Sequence, residues 1–318
     1  MNRIHVITAV IGAISFFFII SCDKGGNGTA KETATVKTEF SDLERFSSNE
    51  TLTRCSLYII NETAPQFKEI VDEGNIAYYG LLLSARPDRE LAQKLIAANR
   101  DGLWEYQRKY GVTSEDSALV IEGLMASGVD SEIVIKALTA LSERFFDAGS
   151  GCFRTVNRGR AEYWKGCSVE TTAHIAYLMH KADKGKFENE IKASAEYVRD
   201  SQDIDGKWSG RWFPSITITS YYAVRFLALF DGTFSQNIEK NLSYIAQKQS
   251  DNGSWSNSTI ETSAAVLLIK SSGKEAGSIS KAEEWLKNSS FKAEPVLYYW
   301  FENKNDKLFF DCWDKGLI

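Results

Sequence analysis

Gln249-Ser250-Asp251-Asn252-Gly253-Ser254-Trp255 leads, after three intervening residues, into Thr259-Ile260-Glu261-Thr262-Ser263-Ala264-Ala265-Val266-Leu267-Leu268. A Gln ends one amphipathic helical pattern. A Gly within a polar cluster supplies a turn that needs relaxed backbone sterics. The Trp just beyond it is placed to pack over the end of the preceding helix, and an acid then opens a run of small and apolar residues. Gln202-Asp203-Ile204-Asp205-Gly206-Lys207-Trp208 repeats the design, with Gly again four residues and Trp six residues after Gln. Weaker copies are Asp101-Gly102-Leu103-Trp104 ahead of Asp116-Ser117-Ala118-Leu119, and Gly151-Cys152-Phe153 ahead of Glu170-Thr171-Thr172-Ala173. The aromatic anchors Trp104, Phe153, Trp208 and Trp255 fall 49, 55 and 47 residues apart. Self-similarity at such a period indicates a repeat architecture.

Working outward, the whole chain has only 4 prolines, and its apolar residues recur near the helical period. Amphipathic segments at 51–71, 88–99, 131–146, 187–201, 235–249 and 280–289 predict outer helices. Segments that are apolar almost all round, at 75–85, 116–127, 170–181, 217–230, 261–271 and 295–303, predict buried inner helices. Asp116, Glu170 and Glu261 suit first helical turns, where negative charge meets the helix dipole. Six hairpins of roughly 44 residues are too few and too long for common solenoids. The last inner segment, Val296-Leu297-Tyr298-Tyr299-Trp300-Phe301, carries no polar cap and requires a partner. Both points favour a closed ring, with the toroid domain spanning 51–318.

The Gln-x-x-x-Gly-x-Trp units, and the acid followed by Thr, Ser and Ala at the start of the next inner helix, resemble the QW repeats of the squalene/oxidosqualene cyclase and protein prenyltransferase superfamily. The resemblance covers most of 75–286. It implies an all-α fold, an (α/α)6 toroid of about twelve helices whose inner ring lines a central cavity. The superfamily's catalytic signatures do not carry over. Its class II cyclases use an Asp-x-Asp-Asp acid; the nearest run identified, Asp203-Ile204-Asp205-Gly206, lacks the last Asp. No Asp-Asp-x-x-Asp run is present. The zinc ligands of the prenyltransferases find no counterpart in spacing or order, although Asp311, Cys312 and His174 supply the residue types. No metal and no cofactor is therefore expected.

In a toroid the inner-helix starts gather at one mouth. Asp116, Glu170 and Glu261 would meet there, beside Tyr163, Trp164 and Trp212 on nearby loops. Carboxylates beside aromatics suit glycan binding and acid/base hydrolysis; equally, the acids suit bonding to backbone N–H groups. His174 follows Glu170 by four residues, a spacing that fits a tuned base or a core hydrogen bond. Arg225, near Tyr221 in an apolar inner helix, needs a partner: an acid on a neighbouring helix start, or the anionic group of a ligand. These residues define the candidate site, with an apolar or glycan ligand.

The N-terminus has its own logic. Arg3 precedes an apolar run from Val6 to Ile20, short for a bilayer span and suited to a secretory signal. It ends in Ile19-Ile20-Ser21-Cys22, which resembles the bacterial lipobox. This predicts a lipoprotein signal peptide at 1–21, lipidation of Cys22 and anchoring to a membrane of the cell envelope, periplasmic or surface-facing. Residues 22–50 read as a disordered tether. Removing Cys22 from the 5 cysteines leaves Cys55, Cys152, Cys167 and Cys312, an even number in an oxidising compartment. Cys152 with Cys167 would staple one loop, and Cys55 with Cys312 would clasp the ring's seam. The net charge of −5, without a basic patch, argues against nucleic acid.

Overall fold

In the computed structural model, the structure describes residues 76–85, 87–107, 111–156, 165–211, 213, 215–274 and 277–289. Among them ten helices alternate between two layers. The inner layer comprises α1 (Ile76–Ala85), α3 (Ser114–Ala126), α5 (Val169–Asp183), α7 (Ile216–Leu227) and α9 (Thr259–Ser271). The outer layer comprises α2 (Arg89–Ala97), α4 (Ser131–Phe145), α6 (Glu188–Asp200), α8 (Ser235–Ala246) and α10 (Gly277–Asn288). Each falls where the period predicted it. The expected helices at 51–71 and 295–303 lie outside the described residues, as do Cys22, Cys55 and Cys312.

Successive inner helices pack side by side, α1 on α3, α3 on α5, α5 on α7 and α7 on α9. The outer helices α2, α4 and α6 each wedge against the two inner helices that flank them in the chain. The difference in sequence follows from this. Helix α9 is buried almost throughout. Helix α6 buries only Ile191, Ser194, Ala195 and Val198, a single stripe at the helical period. The closest approach is between α1 and α3, where a Cβ at Gly80 would stand 2.5 Å from the Leu119 carbonyl oxygen and 2.6 Å from Val120 Cα.

The repeated turn has a direct physical account. The indole Nε1 of Trp104, Trp208 and Trp255 donates to the carbonyls of Leu95, Val198 and Ile245 at 2.7, 2.7 and 2.8 Å. Each carbonyl is in the last turn of the preceding outer helix, which lacks helical partners for such groups. Gln202 and Gln249 donate to the carbonyls of Gly206 and Gly253, each at 2.9 Å, and so close the turn. Gly206 and Gly253 adopt φ of +94° and +91°, where a side chain is strained.

The start of each inner helix is fixed from two sides. Thr113, Ser168, Ser215 and Ser258 cap α3, α5, α7 and α9 by accepting from the backbone N–H three residues on. The fourth helical residue of α3, α5 and α9 then clamps the aromatic anchor. Hydroxyls of Ser117, Thr172 and Thr262 accept from the backbone N–H of Trp104, Phe153 and Trp255, each at 3.0 Å. This is why a hydroxyl follows the acid in the repeat.

Two short antiparallel ribbons, which helical periodicity does not signal, occupy the connections before α3 and α5. They are β1 (Glu105–Gln107) with β2 (Gly111–Val112), and β3 (Phe146–Asp147) with β4 (Cys152–Phe153). A disulfide joins Cys152 to Cys167, with Cα atoms 5.8 Å apart, and closes the loop between β4 and α5.

Candidate functional site on the inner helices

Counting from the caps separates the acids into two registers. Glu115 and Glu170 hold the second helical position of α3 and α5 and are buried; Asp116 and Glu261 hold the third position of α3 and α9 and are half-buried. Glu170 Oε1 accepts from the Arg211 backbone N–H at 2.7 Å. Asp116 accepts from the Thr113 hydroxyl; burial raises its carboxyl to about 6 against that hydrogen bond. The Glu261 backbone N–H is capped by Ser258 at 3.2 Å, and its side chain enters no hydrogen bond or ion pair among the described residues.

Glu115 is different. It is 6% exposed. One oxygen accepts from the Thr171 hydroxyl, which in turn accepts from Ser168 Oγ at 2.7 Å. The other oxygen, Oε1, has no hydrogen-bond partner among the described residues. Burial pushes this carboxyl up to about 8, and the neighbouring Glu170 and Asp116 add to the rise. Burial thus favours the protonated form of Glu115 at neutral pH, a form that can donate a hydrogen bond.

One to two helical turns further along lies a buried polar cluster spanning three inner helices. Glu122 of α3 meets His174 of α5, with Oε2 and Nε2 2.8 Å apart, and pairs through Oε1 with Arg225 of α7. Burial alone would raise the Glu122 carboxyl, but Arg225 and His174 bring it down to about 2. The Arg225 guanidinium donates to the Tyr221 hydroxyl at 3.0 Å and lies 3.7 Å from the Tyr177 ring centroid. His174 stacks on Tyr222, ring centroids 4.8 Å apart, and Tyr222 also packs with Tyr221 and Phe213. Burial raises the Tyr221 phenol to about 12 and the Tyr222 phenol well above its ordinary value, so both rings remain neutral.

Of the expected site residues, His174, Tyr221 and Arg225 are brought together. The hydrogen-bond partner of His174 is Glu122, across the helix interface, rather than Glu170 one turn back on its own helix. Tyr163, Trp164 and Trp212 lie outside the described residues. Sequence reasoning passed over Glu115 and Glu122. For Glu115 a signal existed: Thr113-Ser114-Glu115-Asp116 opens an inner helix with two consecutive acids. For Glu122 the only signal was a charge inside an apolar helix. Among the described residues no group of three or more His, Cys, Asp and Glu is arranged to hold a metal ion, and no helix is long and apolar enough to cross a membrane.

No curated protein matches the chain. Residues 163–278 match the family model of the squalene-hopene cyclase C-terminal domain. Among solved structures, the type II terpene cyclase MstE from Scytonema, without ligand, is 19% identical with a TM-score of 0.53, covering 67% of this chain and 66% of its own. A variant of that cyclase in complex with geranylgeranyl dihydroxybenzoate gives 18% identity and the same TM-score, with 67% of each chain covered. ent-Copalyl diphosphate synthase from Streptomyces platensis gives 20% identity and a TM-score of 0.53; the match covers 70% of this chain but only 44% of that enzyme. At such identities the likeness concerns architecture, and together with the helix order it establishes the fold as an all-α, terpenoid cyclase-like α/α toroid.

Proposed function

We propose that this chain is a lipid-anchored protein of a bacterial cell envelope whose toroid binds an apolar ligand against its inner helices. The observation that carries the reading is the state of the polar groups there. Glu122, His174 and Arg225 are engaged with one another, and Asp116 and Glu170 with protein donors. Around them stand the aromatic rings of Tyr177, Tyr221, Tyr222 and Phe213. Charges already paired within the protein favour an apolar guest over a glycan, which needs many unspent polar partners. The apparent lipobox ending in Cys22 supports the anchor. The test is binding by the purified full chain to a panel of isoprenoids and oligosaccharides, read by native mass spectrometry and tryptophan fluorescence. Saturable isoprenoid binding is expected; binding or cleavage of oligosaccharide alone overturns the reading. For the anchor, the expressed protein partitions into the detergent phase of Triton X-114, and Cys22→Ser moves it to the aqueous phase; aqueous partitioning of both overturns lipidation.

A second reading, a divergent cyclase, is favoured by Glu115. A buried carboxylic acid that keeps its proton at neutral pH, with one oxygen unpartnered, is the kind of group that protonates an alkene. Read as a pattern, Thr113-Ser114-Glu115-Asp116 has acids at the third and fourth places of Asp-x-Asp-Asp and departs from it at Thr113. Incubation with linear isoprenoids and analysis of products by gas chromatography tests it. Cyclised product that disappears in Glu115→Gln favours this reading; unchanged isoprenoid overturns it.

A further inference from the structure

The Glu122–His174 pair carries an asymmetry that the binding reading does not use. Glu122 is held ionised by Arg225, so it only accepts hydrogen bonds. His174 Nε2 must therefore be its donor, and in the neutral form of the ring Nδ1 then carries the lone pair. His174 is 1% exposed, and its Nδ1 has no hydrogen-bond partner among the described residues. The ring cannot easily rotate to find one, because Glu122 holds its Nε2 at 2.8 Å and Tyr222 stacks on its face. A buried acceptor that is positioned and left unpaired costs free energy, and buried polar groups are nearly always satisfied.

We propose that His174 Nδ1 is a ligand contact: it accepts a hydrogen bond from a hydroxyl group carried by an otherwise apolar molecule. The inference rests on the binding reading above and adds the chemical class of the guest, an alcohol rather than a hydrocarbon, ether or anion. An anion is disfavoured there because Arg225 is already neutralised by Glu122, and a guest without a donor leaves Nδ1 unsatisfied. Glu122 and Arg225 then act as positioning residues that orient the imidazole.

The experiment compares farnesol with farnesyl methyl ether on the full chain. The two differ by one donor. Wild-type protein is expected to bind the alcohol about three- to tenfold more tightly. In His174→Phe the preference for the alcohol disappears. A measurement on the wild type guards against misfolding of the variant. In ¹⁵N-labelled protein, with imidazole signals assigned by comparison with His180→Gln, the His174 Nδ1 resonance moves on adding alcohol and not on adding ether. Equal affinities with an unmoved Nδ1, or a preference that survives His174→Phe, overturn this inference and leave the binding reading standing. Failure of both molecules to bind overturns the binding reading with it.

Discussion

Glu122 Oε2 lies 2.8 Å from His174 Nε2, although 52 residues separate them in the chain. The same carboxylate takes Arg225, 103 residues away. Three neighbouring inner helices thus share one buried anion.

Removing that anion strands a buried guanidinium. Glu122→Gln is expected to destabilise the protein by about 3–5 kcal/mol, whereas the paired replacement Glu122→Leu with Arg225→Met costs much less. Urea unfolding of both variants checks this. Equal losses would mean that apolar packing, not charge pairing, governs the site.

Glu115 sets a pH dependence of opposite sense to the usual acid. Its folded carboxyl is raised to about 8 from an ordinary 4.5, so between those values the folded chain holds a proton that the unfolded chain has lost. Its stabilisation is complete below about 4.5 and declines as pH rises towards 8. Asp116, raised to about 6, acts in the same direction but is spent above that value. Glu122, lowered to about 2, matters only in acid, where its contribution is lost as pH falls. Burial lowers His180 below its ordinary 6.5, which works in the opposite sense up to about pH 7; from about pH 7 to 8 the slope belongs to Glu115, on the order of 1 kcal/mol per pH unit. Urea midpoints at pH 7.0, 7.5 and 8.0 should fall for wild type and stay level for Glu115→Gln.

Two glycines with similar backbone angles should respond differently to alanine. Gly206 and Gly232 have φ of +94° and +83°. A Cβ at Gly206 would stand 2.6 Å from the Lys240 carbonyl oxygen, whereas among the described residues nothing lies within 4 Å of one at Gly232. Gly232→Ala bears only backbone strain, about 1–2 kcal/mol. Gly206→Ala adds a collision with the backbone of α8, roughly 1–3 kcal/mol more. Melting temperatures of the two variants rank them.

The Cys152–Cys167 bridge has a sequence separation of 15. In the chain-entropy account a loop of that size is worth about 3 kcal/mol. Cys152→Ser should lower stability by that amount, and reductant should lower wild type but leave the variant unchanged.

The hairpin repeat was legible because its parts act locally. Gln, Gly and Trp within seven residues close one turn and cap one helix, so their spacing survives in the sequence. The site was legible only in part, because its partnerships cross between helices. The spacing of Glu170 and His174 suggested a pair, yet His174 bonds Glu122 on the adjacent helix, and nothing in the chain's order announces that contact. The acids were aligned on the small residues that follow them. Counting instead from Thr113, Ser168 and Ser258 would have placed Glu115 with Glu170 and Asp116 with Glu261. The ribbons β1–β2 and β3–β4 were missed because elements of two or three residues carry no period.

The QW turn faces forward as well as back. Gln202, besides closing its own turn, donates to the carbonyl of Asn237 at 2.9 Å, and Gly206 and Gly253 abut the backbone of the next outer helix at Lys240 and Lys281. Each hairpin is thus finished by chain that has not yet been made when the hairpin itself emerges. Made N-terminus first, such a chain assembles vectorially: the Gln202 turn waits 35 residues for Asn237 before it is fully bonded. A nascent chain arrested midway would always display one incomplete turn at its growing end.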